Sequence, residues 1–350
     1  MTPSTSHAGS VLSTRPKPRA ARIAGRGRAR RILITGGAGF LGVNAAVRMI
    51  DSGWNVTLLD NLSRPGTERN LTWLINEHPA ETTFVKEDVR NASALNEHVK
   101  GQDAILHLAG QVAVTTSLID PVTDFEVNAG GTLNLLEATR KNNPDVPFVF
   151  ASTNKVYGKL DNNNVACEES QPIDFHSPYG CSKGSADQYV RDYARCFHMN
   201  TVVLRQSCIY GAHQYGTEDQ GWVAHFVHSI LNKRPLIIYG DGTQVRDLLD
   251  ARDLSVMYEM AIEQIDKTRG EIYNVGGGPP NQRNLLEVIE QIGELTNRKP
   301  TVSYADWREG DQTFYVSDIG KANKELGWEP GIKFDQGLKD LVAWAISVSP

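Results

Sequence analysis

The sequence predicts an α/β protein: a doubly wound parallel sheet, followed by a smaller α/β subdomain that binds substrate. Three observations predict this fold. A glycine-rich stretch directly follows a short apolar strand, strand and helix patterns then alternate, and the regularity declines after about residue 206. The 350 residues are 40% hydrophobic and 22% charged, which suits one large domain or two moderate ones. We assign residues 31–205 mainly to the first unit. Residues 206–345 form mainly the second, with some return to the first sheet.

The start of the chain differs in composition from everything after it. Residues 1–31 contain eight Lys or Arg and no Asp or Glu, whereas the whole chain carries a formal charge of −5. We interpret residues 1–30 as a disordered basic extension. It fits an organelle transit peptide, a tail for anionic partners, or an extension without function, and we favour the last. Because the remaining chain is strongly acidic, we expect no nucleic-acid partner.

The cysteines and the apolar runs exclude other classes. Cys167, Cys181, Cys196 and Cys208 show neither a CxxC pair nor a zinc spacing, so we expect reduced thiols and no metal. No apolar run reaches the roughly 20 residues that span a bilayer. We therefore expect a cytoplasmic protein with no membrane partner.

The first strand and helix carry the motif of a dinucleotide site. Residues 32–35 predict a buried strand, "GGAGFLG" follows at once, and a helical pattern continues to Met49. Gly37, Gly39 and Gly42 fit G-x-G-x-x-G, and Gly36, Gly39 and Gly42 fit the variant with a wider first spacing. Such glycines permit the tight turn, the approach of a pyrophosphate and close packing of the helix on the strand. The helix N-terminus then faces the phosphates. This arrangement predicts a Rossmann-type domain.

The second strand selects the cofactor. It spans residues 55–59 and ends at Asp60, whose carboxylate would accept hydrogen bonds from ribose hydroxyls and repel a 2′-phosphate. The sequence therefore predicts NAD rather than NADP. Arg64 follows closely and could soften this preference, although a solvated surface arginine is the simpler interpretation.

Further strand–helix units continue the sheet. We expect strands ending at Asp88, at Ala109–Gly110 and at Ser152–Thr153, and a helix with Asn128 near its start. In doubly wound sheets, ligands bind at the carboxyl ends of the strands. These residues therefore belong to the predicted NAD site, with Asp88 placed to meet the adenine.

Tyr179 and Lys183 carry the predicted chemistry. They lie four residues apart, one turn of a helix that Ser177 would cap and Pro178 would start. A phenol with a pKa of about 10 is a poor base at neutral pH. A nearby ammonium and a positive nicotinamide would lower that pKa, and Lys183 could also bind the nicotinamide ribose. Thr153 would hold the same substrate oxygen, which gives acid–base catalysis matched to hydride transfer.

The second half offers candidate substrate contacts. "TVVLRQSCIYG" predicts one strand, and Asp241–Gly242 predicts a hairpin turn. His213 and Gln220 could contact substrate, although packing explains either of them equally well alone. Arg246 and Arg308 could bind pyrophosphate oxygens, with surface salt bridging as the alternative.

These motifs resemble the extended short-chain dehydrogenase/reductase family of NAD-dependent nucleotide-sugar epimerases and dehydratases. The resemblance covers roughly residues 31–345 and includes "VRDLLDARDL" and "WREGDQTFYVSDIGKANKELGW". It implies that Arg246 and Arg308 clamp the substrate diphosphate. "STNKVYG", "SPYGCSKGSADQYVRDYAR" and "YGAHQYGTEDQGWVAHF" are most similar to the 2-epimerases of CDP-activated hexoses. Family members commonly pair through helices such as the one at Tyr179, so a homodimer or homotetramer is expected.

Positions at which this chain departs from the family's patterns indicate which of the family's reactions to expect. The dehydratases carry an Asp–Glu pair after the catalytic Thr, where this chain has Asn154 and Lys155, which disfavours dehydration. The common 4-epimerases tend to carry Ser at position 153 and often Asn at position 208, where this chain has Thr and Cys. We expect a transient 2-ketosugar that turns over and is reduced on its other face. The alternatives are a UDP-hexose 4-epimerase, a GDP-sugar 2-epimerase, a net NAD-dependent oxidoreductase and a non-catalytic NAD-binding regulator.

Three sets of residues summarise the predicted site. The catalytic residues are Thr153, Tyr179 and Lys183. The NAD-binding residues are Gly36, Gly39, Phe40, Leu41, Asp60, Asn61, Ser63, Arg64, Asp88, Val89, Leu108, Ala109, Gln111, Asn128, Tyr179 and Lys183. The substrate-binding residues are Thr153, Asn154, His213, Gln220, Arg246 and Arg308.

Overall fold

The computed structural model describes residues 28–160, 165–308 and 311–348. Most of the predicted basic extension therefore lies outside the described residues. Within these ranges, no helix is both long enough and apolar enough to cross a membrane.

The first half alternates strands and helices. Its strands are β1 (Arg30–Thr35), β2 (Trp54–Asp60), β3 (Thr82–Lys86), β4 (Ala104–His107), β5 (Phe148–Thr153) and β6 (Thr201–Gln206). Its helices are α1 (Phe40–Asp51), α2 (Thr67–Glu77), α3 (Ala92–His98), α4 (Val114–Ile119), α5 (Pro121–Phe125), α6 (Gly131–Asn142) and α7 (Ser177–Phe197). A π-helical turn over Glu126–Gly130 joins α5 to α6.

The second half adds shorter strands and further helices. Its strands are β7 (Cys208–Tyr210), β8 (Leu236–Tyr239), β9 (Val245–Asp250), β10 (Ile272–Val275), β11 (Gln282–Asn284), β12 (Val302–Ala305) and β13 (Phe314–Tyr315). Its helices are α8 (Trp222–Leu231), α9 (Ala251–Glu263), α10 (Ile265–Thr268), α11 (Leu285–Thr296), α12 (Gly320–Leu326) and α13 (Phe334–Ser347).

A seven-stranded parallel sheet organises the molecule, in the order β10-β6-β5-β4-β1-β2-β3. Strands β4, β5, β6 and β10 are buried along their whole length, whereas the edge strand β3 is only partly covered. Ile32 and Ile34 pack in one apolar cluster with residues of α1 and α9, and Leu33 packs in another with residues of α6 and α7. Since successive side chains of a strand point to opposite faces, helices cover both sides. The predicted doubly wound α/β fold is confirmed.

The order of the strands also locates a crevice. The chain runs outward from β1 to β3 and then returns to place β4 on the other side of β1. Ligands bind at such a reversal, outside the carboxyl ends of the strands. Strand β10, from the second half, joins the far edge of this sheet, while β7, β9, β11 and β13 form a second sheet and β8 pairs with β12.

Several predicted local features differ from the structure. Strand β3 ends at Lys86, before Asp88, and "TVVLRQSCIYG" forms two strands in different sheets. The predicted hairpin at Asp241–Gly242 is wrong, because β8 and β9 pair with other strands. Gly242 does adopt a left-handed conformation, with φ of 83°. Helix α7 begins at Ser177 rather than after it. The Ser177 hydroxyl still accepts a hydrogen bond from the Gly180 N–H at 3.3 Å.

Candidate active site

A cleft of about 520 Å³ opens at the reversal between β1 and β4. Most of the predicted NAD-binding residues line it: Gly36, Gly39, Phe40, Leu41, Asp60, Asn61, Ser63, Arg64, Asp88, Val89, Leu108, Ala109 and Gln111. The predicted substrate residues His213 and Gln220 line the same cleft. The structure thus brings together residues from four strand ends of the first half and a loop of the second.

The glycine-rich turn is shaped to hold a phosphate. Gly36 has φ of 67°, and a Cβ there would lie 2.7 Å from the Ala109 backbone nitrogen. A Cβ at Gly42 would lie 2.4 Å from the Gly36 carbonyl oxygen, so only glycine lets α1 start so close to the turn. A Cβ at Gly39 would meet only the Gly36 oxygen, at 3.1 Å, and no side chain caps α1. These features fit the approach of a pyrophosphate to the helix N-terminus.

Asp60 is held by the backbone around that turn. Its carboxylate accepts hydrogen bonds from the N–H groups of Ala38, at 3.1 Å, and Leu62, at 2.8 Å. Burial raises the pKa of Asp60, and these N–H groups and the Arg64 charge oppose that rise. The carboxylate is therefore fixed at the cleft wall, where it can accept hydrogen bonds from ribose hydroxyls.

Asp88 belongs to a neighbouring network that sequence reasoning resolved only in part. Arg90 donates two hydrogen bonds to it from its guanidinium, at 3.0 and 2.9 Å, and one from its backbone N–H at 2.9 Å, and Asn61 donates a fourth at 2.9 Å. The hydrogen bond from Arg90 lowers the pKa of Asp88 to about 2. Arg90 lines the cleft and was missed, because an arginine after a strand is usually a solvated residue.

Asn128 provides a test of whether a nucleotide fits here. Its side-chain nitrogen donates to the Gln111 carbonyl oxygen and to the Ser182 hydroxyl, each at 3.0 Å. Its Oδ1 atom is buried and has no hydrogen-bond partner among the described residues. That oxygen lies beside Gly110, which lines the cleft, 2.9 Å from where a Cβ of residue 110 would be. The site therefore contains an acceptor that suits a donor group of a bound nucleotide.

The predicted catalytic residues Thr153, Tyr179 and Lys183 are all buried, and they lie next to the part of the cleft at Gly110 and Asn128. The Thr153 hydroxyl lies near enough to the Tyr179 phenol to favour its ionised form. Burial raises the pKa of Tyr179 to about 12, and the Thr153 hydroxyl and the Arg64 charge oppose this rise. The predicted lowering of the phenol pKa is therefore not what this geometry gives, since burial outweighs both opposing effects.

Lys183 lies behind Gly110. Its ammonium donates a hydrogen bond to the Ala151 carbonyl oxygen at 2.6 Å and lies 4.2 Å from the centroid of the Phe150 ring. Burial lowers the pKa of Lys183 to about 7, although Asp187 and Asp124 favour its charged form. Its ammonium is also 3.9 Å from where a Cβ of residue 110 would be. Only glycine at position 110 lets a ligand in the cleft come this near the amine.

Three residues beneath Tyr179 were missed by sequence reasoning. The Ser117 hydroxyl accepts a hydrogen bond from the Tyr179 N–H at 3.1 Å, and Ser182 donates to the buried carboxylate of Asp124. Asn128 also donates to Asp124, at 3.2 Å. Ser117 and Asp124 lie on short helices about sixty residues before Tyr179, and nothing in the local sequence connects them to it.

The predicted substrate residue His213 is packed against an aromatic ring. Its ring centroid is 3.9 Å from that of Trp73, and Asn70 donates a hydrogen bond to its carbonyl oxygen at 3.1 Å. Burial lowers the pKa of His213 to about 4. The imidazole is therefore neutral at pH 7 and shapes the cleft rather than supplying a proton.

The two predicted diphosphate-binding arginines have different carboxylate partners. Arg246 is buried and donates to Asp311 Oδ1 at 2.7 Å. Arg308 donates to Glu218 Oε1 at 3.2 Å and covers the Tyr239 ring at 3.9 Å. The structure does not bring the two guanidinium groups onto one partner. Asn154, the remaining predicted substrate residue, is buried and accepts a hydrogen bond from the Thr153 hydroxyl at 3.3 Å.

No group of three or more His, Cys, Asp or Glu side chains in residues 28–160, 165–308 and 311–348 could hold a metal ion.

The cleft at the glycine-rich turn and the Thr–Tyr–Lys set are the features of a short-chain dehydrogenase/reductase. The family model described as GDP-mannose 4,6 dehydratase matches residues 33–341. The chain therefore belongs to this NAD-dependent epimerase/dehydratase family, which confirms the predicted family, an enzyme and NAD as its cofactor.

Individual relatives span several activities. The CDP-paratose 2-epimerase of Salmonella typhi is 41% identical over 339 residues, which cover 91% of this chain and 100% of that protein. The structure of the Thermus thermophilus UDP-glucose 4-epimerase in complex with NAD has a TM-score of 0.82 and 31% identity, covering 91% and 100% of the two chains. That of DesIV, a dTDP-glucose 4,6-dehydratase from Streptomyces venezuelae with NAD and TYD bound, has a TM-score of 0.82 and 29% identity, covering 91% and 97%. This chain is a nucleotide-sugar epimerase or dehydratase.

Proposed function

We propose that this protein is an NAD-dependent epimerase that inverts C2 of a CDP-activated hexose of the paratose or tyvelose type. The observation that carries the choice of epimerase over dehydratase is the turn that directly follows Thr153. That turn presents an amide at Asn154 and an ammonium at Lys155, and neither can act as the acid–base pair of a dehydratase. The choice of C2 and of CDP is supported by the 41% identity to a CDP-paratose 2-epimerase over the whole of that protein.

The cofactor would be held by residues already described. The glycine turn and the start of α1 would bind its pyrophosphate, Asp60 its adenosine ribose, and Lys183 the ribose of its nicotinamide. Bound NAD supplies a group that accepts a hydride from the sugar and returns it. Because the same nicotinamide serves both directions, the cycle consumes no net cofactor.

Tyr179 is the proposed acid and base. Its phenol would take the proton of the sugar hydroxyl at the reacting carbon and return a proton to the same oxygen after inversion. Thr153, whose hydroxyl lies near that phenol, would hold the sugar oxygen in line. The positive charge of Lys183 near the reacting centre would lower the pKa of the phenol once its ammonium turns from Ala151 toward the cleft.

Two further elements would hold the substrate while its sugar turns. Arg246, with Arg308 from the neighbouring loop, would bind the diphosphate and keep the nucleotide fixed. His213 and Gln220, which line the cleft, would border the space in which the ketosugar presents its second face.

The experiment that tests this function uses a panel of CDP-, UDP- and GDP-hexoses with the purified protein. Nuclear magnetic resonance of the products identifies which carbon is inverted. We expect inversion at C2 with the CDP-sugar and no steady growth of NADH absorbance. Inversion at C4 with a UDP-sugar, net NADH release, or a 4-keto-6-deoxy product would each contradict the proposal.

A further inference from the structure

Lys155 occupies a place that the proposed mechanism does not use. It lies in the 3₁₀ turn Asn154–Tyr157 that directly follows β5. Its backbone N–H donates a hydrogen bond to the Thr153 hydroxyl at 3.2 Å, and that hydroxyl lies near the Tyr179 phenol. The main chain of Lys155 is therefore part of the scaffold that fixes the catalytic hydroxyl groups.

The side chain of Lys155 extends toward Arg246, one of the two arginines proposed to bind the substrate diphosphate. Its ammonium lies 3.7 Å from Asp311 Oδ1, the oxygen that also accepts the 2.7 Å hydrogen bond from Arg246. One anionic oxygen is thus within reach of both cations at once. A phosphate oxygen, like this carboxylate oxygen, is an anionic acceptor of charge-assisted hydrogen bonds. The position of Asp311 Oδ1 therefore marks a place where Lys155 and Arg246 can bind an oxyanion together.

The surroundings keep the amine suited to an anion. Burial, followed by the Arg246 charge, lowers the pKa of Lys155 to about 8, while Asp311 favours the charged form. Burial raises the pKa of the neighbouring Cys208 thiol, so that group is neutral at pH 7 and adds no charge here. Lys155 is therefore mostly protonated at neutral pH and loses its charge a little above it.

The chemistry of the substrate explains why such a cation would lie here. In a nucleotide sugar the diphosphate is attached to C1, and C2 is the next carbon of the ring. An enzyme that oxidises C2 must therefore hold the sugar-linked phosphate one carbon away from its catalytic hydroxyl groups. Lys155 meets this requirement, since its main chain contacts Thr153 and its side chain shares an oxygen with Arg246.

We propose that the Lys155 ammonium binds the sugar-linked phosphate of the substrate beside Arg246 and so places C2, rather than a more distant carbon, at Thr153 and Tyr179. This inference rests on the proposed function. It assigns Lys155 a direct substrate contact and a share in selecting which carbon reacts.

The test compares two ligands that differ by this phosphate, CDP and CMP. In the NAD-bound enzyme, K155M should weaken CDP binding by at least roughly tenfold, as loss of a charge-assisted hydrogen bond implies, and leave CMP binding unchanged. K155R should restore most of the CDP affinity, and K159M, at an exposed position four residues on, should change neither ligand. Above pH 8 the CDP affinity of the wild type should fall, while that of K155R should not.

Contrary results are distinct from failure of the proposed function. Equal CDP affinity in K155M and the wild type would overturn the inference, and so would equal losses for CDP and CMP. NAD content and the urea midpoint of K155M establish that its fold is intact. If the wild type binds CDP but does not invert C2 of a CDP-hexose, the proposed function fails on that assay, whatever K155M binds.

Discussion

Replacing Tyr179 with Phe removes one hydroxyl and leaves the rest of the site in place. The ring is 8% exposed, and the Ser117 hydroxyl binds the backbone N–H of residue 179, which the variant keeps. The stability lost is at most that of one hydrogen bond of the phenol hydroxyl, about 1 kcal/mol. The activity lost is that of general acid–base catalysis, roughly 10²- to 10⁴-fold, or about 3–5 kcal/mol of activation free energy.

The assay measures the rate of C2 inversion, the bound NAD and the urea midpoint of both proteins. Tyr189→Phe is the matched control, because Tyr189 lies on the same helix and is 48% exposed. We expect inversion to fall only in Y179F, with NAD content and midpoint close to those of the wild type. Inversion by Y179F within twofold of the wild-type rate would refute the assignment of the phenol as acid and base.

Three further perturbations probe the cofactor site. Gly42→Ala forces a Cβ to within 2.4 Å of the Gly36 carbonyl oxygen, so it should lower the urea midpoint and NAD affinity. Gly130→Ala is the control, because its Cβ would be 3.8 Å from its nearest neighbour, and it should change neither the midpoint nor NAD affinity. Equal effects of the two substitutions would contradict this account. Asp60→Asn should weaken NAD binding by roughly tenfold and leave CDP binding unchanged in titrations, whereas unaltered NAD affinity would remove Asp60 from the ribose site. In protein stripped of NAD, the folded-state pKa of Lys183 is about 7, below its usual value of about 10.4, so the unfolded chain binds more protons between these values. The free energy of unfolding of the wild type, measured in urea, should therefore rise from pH 7 to 9 relative to that of K183M, by up to about 1.4 kcal/mol per pH unit. Parallel pH profiles of the two proteins would show that Lys183 is not desolvated.

The cofactor cleft could be predicted from the sequence because its signals are local. A glycine that must adopt a positive φ, as Gly36 does, and a carboxylate at the end of the next strand follow one another in a short segment. Buried parallel strands are apolar on both faces, so their ends are easy to find. The residues that follow those ends meet at one edge of the sheet whatever the rest of the chain does.

The support of the catalytic residues could not be predicted in this way. Ser117 and Asp124 reach Tyr179 and Ser182 from α4 and α5, and their contacts depend on how those short helices pack against α7. The opposing effect of burial on the pKa of Tyr179 could not be predicted either, because the sequence does not report burial. The second half was harder still, since the turn at Asp241–Gly242 directs β8 and β9 into separate sheets.

The most direct measurement follows a deuterium label placed on C2 of a CDP-hexose. If Tyr179 moves only the hydroxyl proton while the carbon-bound hydrogen leaves and returns as hydride, the inverted product keeps its deuterium at C2. Loss of the label to solvent, or inversion at another carbon with C2 untouched, would contradict the account.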